Sequence, residues 1–323
     1  MNTRRNAIWF WGALGAALVA SRACHVNILW ADEDYHLAAA IQMLHGKMLY
    51  RDLWYDKPPL NAMVGLLFGA WPGWPLRIVA SLIAVAGCAL SYRFASRLWG
   101  AREGFYAAAL LAFFLIFYSA PATIPVEPDT LMVVPHLAAV YLAWRQRPFA
   151  AGAAAGIAFL LNTKGLFVLA ACLAFVPAGW PLLAAGFLVP NAAMLGWLAW
   201  NGALPAYFFD VWRWGLLYAA APLENARGAV AEALGWLGFH AALAIGAVVF
   251  WRKEKQRRGL ALWAAISLAA VAVGWRFLPR YFNQLLPPLT IIAARGIALC
   301  VGPDTVLPAG RQPALQGWQR GMA

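Results

Sequence analysis

Charge is scarce in this chain. Of 323 residues, 12 % are Asp, Glu, Lys or Arg, and only 13 are acidic. No hydrophilic stretch is long enough to fold as a separate soluble domain. Cysteine is also sparse. Cys24, Cys88, Cys172 and Cys300 fall in or beside apolar segments without metal-ligand spacing. They read as small hydrophobes and say nothing about redox compartment. His36, His45, His136 and His240 show no HExxH-like spacing, so they do not read as metal ligands. There is no GxxxxGK[ST] and no GxGxxG, which leaves no sign of a nucleotide site, and no GxSxG nucleophile elbow. No internal repeat is visible.

What is abundant is apolar length. Hydrophobic residues make up 63 % of the chain, and the mean hydropathy is +0.64. Runs of about 20 apolar residues recur, enough to cross roughly 30 Å of hydrocarbon. The expected fold is therefore all-α, a polytopic transmembrane bundle of about ten spans. These fall near 7–29, 76–98, 103–120, 128–144, 149–163, 165–179, 181–200, 228–251, 259–275 and 281–300. Residues 58–73, opening with Pro58-Pro59, form a shorter apolar piece, expected to be interfacial or re-entrant. The Ala/Gly-rich stretch 150–159 should pack closely against a neighbour. Eighteen Trp and ten Tyr suit interfacial belts. Arg4 and Arg5 before the first run resemble a signal peptide, but the run is long and reads as a retained signal anchor.

The net charge of +12 follows membrane topology better than nucleic-acid binding, because the basic residues are scattered between spans. With the N-terminus in the cytoplasm and alternating spans, the densest cluster, Arg252 to Arg258, lies in a short cytoplasmic loop. Ten of the thirteen acidic residues then face the exterior, the periplasm in a bacterium. Residues 1–300 read as one membrane domain with an external loop, 31–60, and 301–323 as a short cytoplasmic tail.

The segment Asp32–Leu60, DEDYHLAAAIQMLHGKMLYRDLWYDKPPL, concentrates charge. It holds five of the acidic residues and three of the 25 basic ones. Residues 33–45 read as an amphipathic surface helix with Leu37, Ile41 and Leu44 on its apolar stripe, Asp32 at the N-cap and Gly46 as the stop. Asp32 and Glu33 lie where the first span leaves the membrane. A carboxylate there reads equally as a helix cap or as a base for an acceptor hydroxyl. Glu127 and Asp129, in VEPDTLM, either favour a helix N-terminus or line the same cavity as Asp32. In Asp56-Lys57-Pro58-Pro59 the prolines stiffen the turn. Lys57 is then presented to a phosphate, or it snorkels to lipid headgroups. Arg276, Arg280 and Tyr281 flank the entry to the last span, as a guanidinium pair for phosphate or as interfacial anchors. Lys164, in LLNTKGLF, is a phosphate contact or a plain turn residue.

Taken together, these segments resemble the GT-C superfamily of integral membrane glycosyltransferases. The likeness is to the bacterial branch of protein O-mannosyltransferase-like, aminoarabinose-transferase-like and lipopolysaccharide-core-transferase-like enzymes. It rests on Asp32-Glu33 with Tyr35 behind, YRDLWYDKPPL, EPDTLM, NTKG and RFLPRYFNQLLPPL, in the family's order over about residues 5–300. The chain departs from many relatives in carrying Arg280 where they have a histidine. The resemblance implies an inverting enzyme of the inner membrane that takes a sugar from a polyprenyl-monophosphate carrier. The acceptor would be a lipid, glycan or protein on the outer face. It implies Asp32 as catalytic base or acceptor-orienting carboxylate, Glu33 and Asp129 as further acidic residues of the cavity, and Lys57, Arg276 and Arg280 at the donor phosphate. Tyr35, Glu127, Lys164 and Tyr281 would contact substrate. In relatives that use a divalent metal, its ligand maps to Asp56. The rival readings are a transporter or flippase of lipid-linked sugars, which would carry ionisable groups near the bilayer midplane and paired halves, and a non-catalytic membrane partner of the same fold.

Overall fold

In the computed structural model, residues 3–221, 226–255 and 258–302 are described. Glu224, Arg257 and the expected tail beyond residue 302, with Arg311 and Arg320, lie outside the described residues. The described chain is helical, with α1 at Thr3–Ala23, α2 at Ala31–Leu44 and α3 at Leu60–Leu66. Next come α4 at Trp74–Leu98, α5 at Ala101–Phe117, α6 at Ala120–Thr123, α7 at Pro128–Leu131 and α8 at Val133–Trp144. The second half holds α9 at Pro148–Leu161, α10 at Gly165–Leu173, α11 at Trp180–Trp200, α12 at Leu204–Tyr207 and α13 at Trp214–Ala220. The last four are α14 at Ala226–Phe239, α15 at Ala241–Lys253, α16 at Arg258–Ala272 and α17 at Leu286–Val301.

Each of the ten apolar runs contains helix, but the count of full spans is lower than the sequence suggests. Among the described residues, three helical stretches are long and apolar enough to cross a bilayer: Trp74–Leu98, Pro177–Trp200 and Arg258–Trp275. A fourth follows if α14 and α15 are one span, broken at His240 by a bend of 80°. For several runs the reason is length. At 1.5 Å per residue, the 14 residues of α9 cover about 21 Å and the 9 of α10 about 14 Å.

The surface helix α2 forms where expected but presents a different face. Trp30, in extended conformation, is its N-cap, and Asp32 sits in the first turn with Glu33 and Asp34. Their negative charge suits the positive end of the helix dipole. Leu37 is buried, whereas Ile41 and Leu44 are exposed. The covered face runs through Glu33, His36, Leu37 and Ala40, because the Glu33 carboxylate reaches Arg77 on α4. Gly46 does end the helix. Its φ is +82°, with Gly46 N–H donating to Met43 C=O at 2.9 Å and Lys47 N–H to Gln42 C=O at 3.1 Å, a Schellman closure.

Small residues let helices touch backbone to backbone. A Cβ on Gly152 of α9 would come within 1.9 Å of the Leu183 carbonyl of α11, and one on Gly296 of α17 equally close to the Gly246 carbonyl of α15. Close approach of this kind is how helices associate where lipid removes the hydrophobic drive. At the end of the bundle where α4 meets α5, Arg295 bonds Glu254 at 2.9 Å and Glu103 at 2.8 Å. His136 accepts the indole N–H of buried Trp263 at 2.8 Å, so it serves the core.

Candidate active site

The opposite end of the bundle holds a cavity of about 380 Å³. Its walls come from residues 32–36, 54–58, 127–129, 162–164, 211–219 and 273–281. These segments lie in or beside the five loops that the charge pattern assigns to the external face. The lining carries four carboxylates, Asp32, Asp56, Glu127 and Asp129, and four cations, Lys57, Lys164, Arg276 and Arg280.

Arg280 links the two acidic segments. One terminal nitrogen bonds the Asp32 carboxylate, and its Nε lies 3.6 Å from Glu127 Oε2. Asp32 is the open end, its side chain 45 % exposed, while Glu127 is 1 % exposed. Glu127 Oε1 has no hydrogen-bond partner. Burial, with the neighbouring Asp129 adding to it, holds the Glu127 carboxyl well above the usual carboxylate range.

Asp129 is the centre of a second cluster. Its Oδ1 accepts from Asn162 Nδ2 at 3.1 Å and from Gln284 Nε2 at 3.4 Å. Lys164 Nζ is 3.7 Å away. That ammonium lies 3.2 Å over the Tyr281 ring, without a hydrogen-bond acceptor. Burial lowers the Lys164 pKa, against the pull of Asp129. Asn162 and Gln284 carry no charge and escaped the sequence reading, although both lie within the NTKG and RYFNQ segments it singled out.

The Lys57 turn is pinned from three sides. Tyr35 Oη accepts the Asp56 N–H at 3.0 Å, Tyr50 Oη donates to the Lys57 carbonyl at 2.8 Å, and buried Asp210 accepts the Tyr55 N–H at 3.2 Å. Tyr35 therefore braces the turn as well as lining the cavity. His36 Nδ1 lies 2.7 Å from Tyr55 Oη. Burial, then the nearby Lys57 and Arg280, push its pKa down to about 3, so the ring is neutral at pH 7. Lys57 bonds Asp56 at 2.6 Å and keeps 38 % of its side chain exposed. Arg276, 6 % exposed, donates to the carbonyls of Tyr218 at 2.8 Å and Ala221 at 2.7 Å and stacks 3.3 Å over the Tyr218 ring.

Two of the expected roles find no geometric support. Glu33 does not line the cavity. It is fully buried and forms a paired salt bridge with Arg77, at 2.9 and 2.6 Å, while Oε1 also accepts the Val126 N–H at 2.8 Å. The carboxylate thus fastens α2, which carries Asp32, to α4 and to the segment leading into Glu127. Arg77 was missed because it looks like any charge at a span end. For a metal at Asp56 the residues do not fit. Among the described residues no three His, Cys, Asp or Glu side chains converge, and the Asp56 carboxylate holds Lys57.

Residues 56–197, less than half of the chain, match the family of dolichyl-phosphate-mannose-protein mannosyltransferases. That window takes in Asp56, Lys57, Glu127, Asp129 and Lys164. No curated protein matches the chain. Among solved structures, the apo form of the Archaeoglobus fulgidus oligosaccharyltransferase superposes with a TM-score of 0.55 at 13 % identity. The same enzyme tethered through a disulfide to an acceptor peptide containing the NVT sequon gives 0.49 at 14 % identity. The matches cover 88 % of this chain in both cases, but 50 % and 49 % of the archaeal chains. The chain thus spans about half the length of the solved structures it matches. The helical fold is thus similar to that of the archaeal oligosaccharyltransferase, and residues 56–197 are similar to the mannosyltransferase family.

Proposed function

We propose that this protein moves a sugar from a polyprenyl-monophosphate donor to an acceptor hydroxyl, with inversion, at the external face of the inner membrane. The observation that carries this reading is one cavity in which an accessible carboxylate, Asp32, stands beside cations from two separate loops. Lys57 and Arg280 are the most exposed of the lining cations, their side chains 38 % and 26 % exposed, and they meet the donor phosphate. Arg276 supports that end of the cavity through its carbonyl and ring contacts.

The chemistry follows from charge. A polyprenyl-phosphate sugar is a phosphodiester with one negative charge, and its departing phosphate gains a second. Fixed cations stabilise that growing charge in the transition state. Asp32 accepts the proton of the acceptor hydroxyl as its oxygen attacks the anomeric carbon. Attack opposite the leaving phosphate inverts the anomeric centre. Asp129, held by Asn162 and Gln284 on the cavity wall, orients the acceptor and sugar hydroxyls. Lys57 leads directly into Pro58-Pro59 and the apolar helix α3, so a phosphate held there sits at headgroup depth with its prenyl chain in hydrocarbon.

The test is transfer by the purified protein in detergent or liposomes, with a bacterial membrane extract as acceptor source. Radiolabelled sugar should move from a polyprenyl-monophosphate donor. Transfer from a nucleotide sugar with no polyprenyl phosphate present refutes the mechanism. Turnover by the purified protein also separates this reading from a non-catalytic partner of the same fold.

A further inference from the structure

Among the described residues, Arg22 and Arg77 are the most deeply buried arginines, and they differ in having a counter-charge. Arg77, 2 % exposed, is covered by the Glu33 carboxylate. Arg22, in the last turn of α1 and 1 % exposed, has no carboxylate within ion-pair distance among the described residues. Its terminal nitrogens donate to Ser21 Oγ at 2.7 Å and to the Thr123 carbonyl at 3.2 Å. Its Nε has no partner. The ionisable groups near enough to act on it are Cys88 and a second cation, Arg77.

A guanidinium cannot shed its proton to escape this position, and an uncompensated charge in an apolar interior is expensive. The carbonyl end of α1 offers about half a negative charge, which leaves the remainder unmet. Beside Arg22 lies a cavity of about 20 Å³. Its other walls are chiefly apolar, among them Ala80, Leu115, Ile124, Val126 and Val133. That volume is room for a small guest. Water would satisfy Nε–H without answering the charge.

We propose that Arg22 and this cavity form a binding site for a single-atom anion, chloride in the cell. The site lies behind residues 123–130, the segment whose other side presents Glu127 and Asp129 to the large cavity. An anion there ties that segment to α1 and α4. The site is independent of the reaction assigned above, because its predicted effect is on stability.

The experiment is thermal unfolding of the detergent-solubilised protein as chloride replaces gluconate at constant ionic strength. The midpoint should rise saturably by about 2–4 °C. Bromide should reproduce the rise and sulfate should not. Arg22→Gln should flatten the chloride response. Equal midpoints in chloride, gluconate and sulfate overturn the proposal, as does an Arg22→Gln protein that keeps the full response. If Arg22→Gln does not fold, bromide-soaked crystals of the unmodified protein decide. An anomalous peak within hydrogen-bond reach of Arg22 supports the site, and its absence at saturating bromide, or ordered water alone, refutes it.

Discussion

Glu33 makes the sharpest test of how the site is held. Its side chain and that of Arg77 are 0 % and 2 % exposed and meet through two bonds. Removing one partner of such a pair strands the other charge, at a cost of about 3–5 kcal/mol. Glu33→Leu should reach this range, because the Val126 N–H loses its acceptor as well. Glu33→Gln keeps an acceptor for that N–H but leaves Arg77 uncompensated, so about 3 kcal/mol is expected. Arg77→Met strands the carboxylate and should fall within the same range. The double variant Glu33→Leu/Arg77→Met leaves no charge behind and should be more stable than either single variant. Denaturant unfolding of the purified protein, set out as a double-mutant cycle, measures the coupling. Strictly additive single and double variants, with coupling under about 0.5 kcal/mol, would show that the pair does not act as a unit.

Four further outcomes are expected. Asp32→Asn should lower turnover by about 10²–10⁴-fold while donor binding persists, measured by single-turnover transfer and by filter binding of labelled donor. Lys57→Ala should raise the donor KM by about 10–100-fold, the loss of one charge-assisted phosphate contact worth about 1.5–3 kcal/mol, with little change in the thermal midpoint. Glu127 should make stability fall with rising pH. Its carboxyl is held above the unfolded value of 4.5, so its contribution is fully present below about pH 4.5 and is lost as pH rises through the folded pKa. Glu127→Gln, which cannot ionise, should flatten that slope in unfolding midpoints taken across pH 5–9. Gly296→Leu should separate α15 from α17, since even a Cβ would press within 1.9 Å of the Gly246 carbonyl. Loss of yield and a lower midpoint are expected, and a midpoint equal to the parent's would contradict the close contact.

Much of the cavity was legible because its residues are rare types in an apolar chain. Asp32, Lys57, Asp129, Lys164 and Arg280 stood out against long runs of Ala, Leu and Val, and loop parity put them at one face. Pairing was not legible. Glu33 and Arg77 are 44 residues apart, and nothing local distinguishes a carboxylate that faces a cavity from one that turns inward to a cation. The same limit hid Asp210, whose neighbours in FFDVWR look like an interfacial belt but whose carboxylate accepts a backbone N–H from Tyr55. The bend at His240 had no proline to announce it. That ring stacks on Trp236 at 4.0 Å and Phe114 at 4.4 Å, contacts that exist only after the helices have met.

The short helices and the position of the cavity are linked. Helices α4, α5 and α11 run without interruption, and none of their residues lines the cavity. Much of the lining comes from places where helical structure starts late, stops early or changes type, beside residues of α2 and α13. Asp129 lies in the four residues of α7, just before α8. Asn162 to Lys164 separate α9 from α10. Arg276 follows a 3₁₀ turn at Val273–Trp275, and Arg280 lies in another at Pro279–Gln284. Non-helical backbone is tolerated within a membrane only where protein or an aqueous cavity satisfies its polar groups. Hydropathy reads straight through such breaks, because the residues around them stay apolar. The short helices α7, α9 and α10 thus end or begin where Asp129, Asn162 and Lys164 reach the cavity.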